Sequence, residues 1–143
     1  MKKISVIYWS GTGNTEKMAE SVAEGARALE AEVRIVPVGS ASVEDVLSAD
    51  AVALGCPSMG DEILEESEME PFICSLEKQS LANVSVVLFG SYDWGDGKWM
   101  RDWEERMKKT GASLLAEGLI LQLEPDEEGL GECRKLGETL AKA

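Results

Sequence analysis

The chain contains no histidine. That excludes Ser-His-Asp and Cys-His catalysis, histidine metal ligation and a histidine pH switch. Any chemistry falls to carboxylates or to a bound cofactor, and no catalytic side chain is expected. Cysteine is scarce: Cys56, Cys74 and Cys133 are widely spaced and odd in number. They offer neither a disulfide framework nor a C-x-x-C metal or redox motif, so no metal site is expected, and they read as small buried apolar residues. Basic residues are few, 14 against 27 acids, for a net charge of −13. That balance argues against nucleic acid, whose binding rests on cations meeting phosphates, and against anionic membrane surfaces. It favours partners with basic patches, and it serves solubility in its own right. No apolar run approaches the ~20 residues that span a bilayer. Met1-Lys2-Lys3 leads straight into a strand, without the apolar core or cleavage site of a signal peptide, so a cytoplasmic location is expected.

Repeats, linkers and low-complexity tracts are also missing, and 143 residues fit one domain over 1–143 with a core of its own. The pattern alternates strand and helix. Residues 3–8 form a first strand and roughly 14–30 a first helix, with apolar residues at helical spacing. Residues 32–38 form a second strand, placed at an edge by Arg34 and Pro37. Ser42 followed by Glu44 and Asp45 starts a short helix. Ala51-Val52-Ala53-Leu54-Gly55 and Val84 to Gly90 are continuous apolar runs of the central, parallel-strand type. Helices follow from Pro71 to near Gln79, and over Trp99, Met100, Trp103 and Met107, a set more consistent with core packing than with a site. The last strand covers 114–115 and 119–123, and a final helix carries Leu130, Cys133, Leu136 and Leu140. Such alternation means a parallel sheet with helices on both faces.

In such sheets ligands lie beyond the C-terminal strand ends. Three loops follow buried strands there, at 9–15, 56–70 and 90–97. The first, Trp9-Ser10-Gly11-Thr12-Gly13-Asn14-Thr15, opens a helix, so its backbone N–H groups and hydroxyls suit an anion. It lacks the lysine of a P-loop and the third glycine of a dinucleotide fingerprint. A single terminal phosphate held by neutral donors fits it; so does a plain capped β–α turn with no ligand. The other two loops each carry a large apolar residue, Met59 and Trp94, which together could sandwich a flat heterocycle.

These loops resemble the FMN site of the flavodoxins, particularly the short-chain type of anaerobic bacteria, and the likeness covers essentially the whole chain. It implies a single-domain α/β three-layer sandwich with a five-stranded parallel sheet in the order 2-1-3-4-5. It further implies that Ser10, Gly11, Thr12, Gly13, Asn14 and Thr15 hold the FMN phosphate. Pro57, Ser58, Met59, Gly60, Asp61 and Glu62 would form one ring-binding loop, and Ser91, Tyr92, Asp93, Trp94 and Gly95 the other. Met59 would cover the inner ring face and Trp94 the outer. Glu62 would accept from the flavin N3–H. The Gly60 carbonyl would turn toward N5–H on one-electron reduction, which needs a turn with positive φ that glycine adopts readily. The sequence departs at Asp93, where family members usually carry glycine. Aspartate tolerates left-handed backbone, and its carboxylate either faces solvent or adds negative charge near the reduced ring.

The resemblance implies a low-potential one-electron carrier, cycling non-covalent FMN between neutral semiquinone and hydroquinone and able to substitute for ferredoxin. Its partners would be ferredoxin-dependent oxidoreductases with basic docking patches, and the chain would be a monomer. Asp61, Glu62, Glu65, Glu66, Glu68 and Glu70 form an acidic run with no base among residues 61–70. It is readable as a solvated face and as a potential-lowering rim, since one unit charge at ~10 Å and an effective dielectric of ~40 contributes ~0.8 kcal/mol before screening. An FMN-dependent NAD(P)H:quinone reductase-like enzyme is the alternative; it needs a nicotinamide site and usually a dimer. A response-regulator-like domain needs paired acids after the first strand and a lysine after the last, where this chain has Trp9-Ser10 and Glu124-Pro125.

Overall fold

The apolar runs set the centre of the sheet. In the computed structural model, which describes residues 2–143, β1 (Lys3–Tyr8) lies between β2 (Glu32–Pro37) and β3 (Ala51–Gly55), and β4 (Ser85–Tyr92) follows β3. All pairs are parallel. Met1, the first residue of the expected leaderless terminus, lies outside the described residues. β3 is buried along its whole length, as a strand covered on both faces must be. β2 takes the edge, its outward residues exposed.

The position beyond β4 is filled by two short strands instead of the single one expected. β5 (Ser113–Leu114) pairs Ser85 and Val86, and β6 (Leu119–Gln122) pairs Phe89 to Tyr92. The sheet thus has six strands in place of five, in the expected order. The interruption, Ala116-Glu117-Gly118, breaks the apolar run. Its backbone turns to α4 (Lys98–Lys109), where Gly118 N–H donates to Glu104 Oε2 at 2.8 Å.

Side chains alternate between two cores, as strand geometry dictates. Val52, Leu54 and Leu88 meet one set of helices: α2 (Val43–Leu47), α3 (Met69–Glu77) and α4. Trp99, Met100, Trp103 and Met107 of α4 all lie in this core, and Trp103 Nε1 is buried without an acceptor among the described residues. Ala51, Ala53 and Phe89 face the other layer, α1 (Asn14–Ala28) and α5 (Glu127–Lys142).

Helix ends follow local chemistry. α1 stops at Ala28, short of the expected residue 30, because Glu30 turns left-handed at φ 67. Ser42 and Asp45 make a capping box for α2. α3 begins at Met69, before Pro71, because the Glu65 carboxylate accepts from the N–H groups of Ser67 (2.8 Å), Glu68 (2.8 Å) and Met69 (3.0 Å). Pro71 then sits in the first turn, where a missing N–H leaves no gap.

Candidate functional site

The carboxyl ends of β1, β3 and β4 are held in line by the backbone beyond them. Trp9 N–H donates to Gly55 O at 3.0 Å, Cys56 N–H to Phe89 O at 3.1 Å, and Ser58 N–H to Ser91 O at 3.0 Å. The three loops therefore leave the sheet side by side, at the point where strand order reverses. Between them lies a cleft of about 140 Å³, lined from the first loop by Gly11, Thr12 and Asn14, from the second by Pro57, Ser58 and Met59, and from the third by Ser91, Tyr92 and Asp93. Trp9 also lines it, though it is absent from the expected site residues. Its indole N–H donates to Glu68 Oε1 at 3.2 Å, a contact between segments 59 residues apart that no local pattern announces.

The first loop is built to present donors. Gly13 occupies the N-cap of α1 with φ 97, and no atom lies within 4 Å of the position its Cβ would take. Ser10 supplies the cap that glycine lacks: its Oγ accepts from Gly13 N–H (3.1 Å) and Glu16 N–H (3.3 Å), leaving the hydroxyl proton for a ligand. The N–H groups of Gly11, Thr12 and Thr15 find no acceptor among the described residues. Thr15 is buried and its hydroxyl lies 2.9 Å from that of Ser91, joining the first loop to the third. Lys17, the nearest base in sequence, pairs with Glu124 at 3.3 Å on the exposed surface. An anion here meets a helix N-terminus, neutral hydroxyls and unpaired N–H groups, a donor set that fits a phosphate monoester.

The second loop is a tight hairpin. Met59 and Ile63 exchange N–H···O bonds of 2.9 Å in both directions across Gly60, Asp61 and Glu62. Gly60 has φ 48 and Glu62 φ 58. Glu62 Oε1 accepts from Gly97 N–H (3.2 Å) and Lys98 N–H (3.1 Å), so it caps α4, where the dipole favours a carboxylate. The bond offsets the strain of a left-handed glutamate and ties the second loop to the third. Glu62 Oε2 makes neither bond.

In the third loop the left-handed residues are Gly95 (φ 94) and Gly97 (φ 93). Asp93 is not among them, so the departure from glycine there imposes no backbone strain; its side chain is exposed and its carbonyl accepts from Gln122 Nε2 at 3.1 Å. Trp94 is 59% exposed and stands outside the residues lining the cleft.

The acidic run is less uniform than its sequence. Glu65 is buried. Burial pushes its carboxyl up, but hydrogen bonds from the Ser67 hydroxyl and the Met69, Ser67 and Glu68 N–H groups outweigh that and hold it below the usual range. Glu70 receives a bidentate Arg106 contact (2.8 and 2.7 Å), and Arg106 also reaches Glu77. These bonds lower both carboxyls. Arg106 is thus the base the run itself lacks, delivered by α4. Asp61, Glu66 and Glu68 remain exposed. Of the cysteines, Cys56 and Cys133 are buried, their thiols pushed up to about 12 by burial. Cys74 is exposed, contrary to expectation, because its thiol donates to Glu70 Oε2 (3.1 Å) on the outer side of α3.

Comparison with known proteins agrees with this geometry. The sequence matches the flavodoxin family over residues 6–137. It is 47% identical to the flavodoxin of Clostridium beijerinckii, over 96% of this chain and 99% of that one, and 44% identical to the flavodoxin of Megasphaera elsdenii, over 98% and 99%. The solution structure of two-electron reduced Megasphaera elsdenii flavodoxin superposes with a TM-score of 0.86 at 42% identity, covering 98% of this chain and 99% of that one. The chain belongs to the flavodoxin family, whose members bind FMN and carry electrons.

Proposed function

We propose that this chain is a low-potential one-electron carrier, cytoplasmic and monomeric, that exchanges electrons with basic-patched, ferredoxin-dependent redox proteins. The bound FMN supplies the redox chemistry, between its neutral semiquinone and hydroquinone states. The observation that carries the reading is the convergence of the three loops on one cleft beside a helix N-terminus that has donors but no cation.

In this reading Ser10 to Thr15 hold the phosphate without neutralising it, so its charge still acts on the ring. Met59 and Tyr92 line the cleft and would flank the ring; the exposed Trp94 would have to close over its outer face, and Glu62 Oε2 would accept from the ring while Oε1 keeps both loops in register. The Gly60 carbonyl is free to reorient because the turn is glycine-based. Asp61, Glu66 and Glu68, exposed beside the hairpin, add negative potential that opposes the final, anionic reduction state.

Apoprotein is expected to take up FMN, read by quenching of flavin fluorescence, and the complex to pass through a blue half-reduced form on reductive titration. Absence of uptake overturns the reading. Gly60→Thr places a β-branched side chain at φ 48 with no neighbour within 4 Å of its Cβ, so it acts through backbone preference alone. With a left-handed penalty of roughly 1–2 kcal/mol, the equilibrium constant for forming half-reduced from oxidised flavin should fall about 5- to 30-fold, lowering the yield of the half-reduced form, while oxidised FMN still binds. Equal yields in the two proteins would refute the carbonyl switch.

A further inference from the structure

Trp9 supplies no donor to the phosphate loop, yet three contacts fix it there. Its backbone N–H donates to Gly55 O at 3.0 Å, and its indole N–H donates to Glu68 Oε1 at 3.2 Å. Its ring edge lies against Gly11, where a Cβ would come within 3.0 Å of Cη2 and 3.2 Å of Cζ3. Packing alone does not hold the ring. It rests partly on the core, but it borders both the cleft and a second hollow shared with Tyr8, Pro37, Gly39 and Ser40.

Glu68 anchors the indole from the start of α3. As the N-cap residue there, it donates its N–H to Glu65 Oε1 at 2.8 Å. Its Oε2 fills the space that a Gly39 Cβ would take, so the carboxylate is wedged between Trp9 and the turn after β2. The loop that Trp9 backs is the one in need of support. Gly11 and Gly13 give it backbone freedom, and the N–H groups of Gly11, Thr12 and Thr15 have no acceptor among the described residues to order them. A ligand that must order such a loop for itself loses affinity in doing so.

We infer that Trp9 is a positioning residue for the phosphate: anchored by Glu68, its ring backs Gly11 and holds the N–H groups of the loop in the arrangement that a phosphate monoester requires. The role rests on the FMN carrier reading. Glu68 acts here as an acceptor and not through its charge, since a carboxylate near a phosphate repels it. A neutral amide of the same shape therefore serves in its place.

The test compares FMN with riboflavin, which has the ring and the ribityl chain but no phosphate, by fluorescence titration of the apoprotein. Trp9→Phe and Glu68→Ala should each lower the ratio of FMN to riboflavin affinity about tenfold, the scale of one lost hydrogen bond. Glu68→Gln keeps the acceptor and should hold the wild-type ratio within about twofold. The double variant Trp9→Phe/Glu68→Ala should lose no more than either single one, because both remove the same contact. Glu68 is exposed, so its variants test the anchor even where Trp9→Phe folds poorly. An unchanged ratio in Glu68→Ala, an equal loss toward both flavins, additive losses in the double variant, or a Glu68→Gln protein as impaired as Glu68→Ala overturns the positioning role and leaves the carrier reading standing. Failure of the wild-type apoprotein to bind FMN overturns both.

Discussion

Gly90→Ala should lower stability and FMN affinity together. Gly90 sits near the end of β4, directly beneath the cleft. A Cβ there would lie 2.1 Å from the Cys56 carbonyl oxygen, 3.0 Å from its carbon and 3.2 Å from Trp99 Cζ2. None of these can retreat cheaply. The Cys56 carbonyl accepts from Trp99 Nε1 at 3.1 Å, and Trp99 is buried in the core. On either side, Cys56 N–H to Phe89 O and Ser58 N–H to Ser91 O pin β3 and β4 together. A methyl group must therefore part the two strand exits, weakening ladder bonds and stranding buried polar groups. The expected destabilisation is about 3 kcal/mol, or roughly 10 °C in melting temperature for a chain of this size. Because Pro57, Ser58 and Ser91 line the cleft, the same displacement separates two of its walls. FMN affinity should fall roughly a hundredfold, about 2.7 kcal/mol. Thermal melts and fluorescence titration read the two effects. Gly13→Ala is the control for the thermal melts alone, since Gly13 belongs to the proposed phosphate loop: its Cβ meets no protein atom within 4 Å and bears only the strain of φ 97, so it separates backbone preference from crowding. A Gly90→Ala protein that melts within two or three degrees of wild type would contradict the crowding account.

What the sequence makes legible is what depends on neighbours along the chain. Val52, Ala53 and Leu54 announce a strand buried on both faces, and Arg34 with Pro37 an edge. Ser10 to Thr15, set between an apolar strand and an amphipathic helix, point to an anion site at the sheet's carboxyl edge. The features that escape local reading depend on distant partners. Glu65 lies three residues before Glu68, the N-cap of α3, so no local capping pattern announces that its carboxylate receives the N–H groups there and is buried. The acidic run lacks a base in sequence yet has Arg106 in space, 36 residues away. Cys74 resembles the other cysteines until the far side of α3 is known to face Glu70 and solvent. The last strand divides because Gly118 finds Glu104 on α4. Trp9 lines the cleft by reaching Glu68.

Replacing Glu65 should produce the other large effect, and one with a characteristic pH dependence. Its carboxylate receives three backbone N–H groups and the Ser67 hydroxyl, all at the start of α3 and all directly after the Met59–Ile63 hairpin. Glu65→Ala leaves the part-buried donor at Glu68 and the buried donor at Met69 without their acceptor. The loss is expected to be between about 2 and 4 kcal/mol at neutral pH. Glu65→Gln keeps the shape and one carbonyl acceptor, and should recover part of the difference. The sign of the pH dependence follows from the depressed folded-state acidity of Glu65. A carboxyl that ionises more readily in the folded state adds stability above its unfolded range, near 4.3. That contribution is lost as pH falls through the lower folded value. Chemical denaturation at pH 7 should thus show a wide gap between wild type and Glu65→Gln, and the gap should close as the solution is taken from pH 5 toward pH 2. Glu70 and Glu77, held down by Arg106, titrate in the same direction in both proteins and cancel from the comparison. A gap that stays constant over that acid range would mean that Glu65 supports α3 through packing alone, and that its charge does nothing to hold the hairpin beside the cleft.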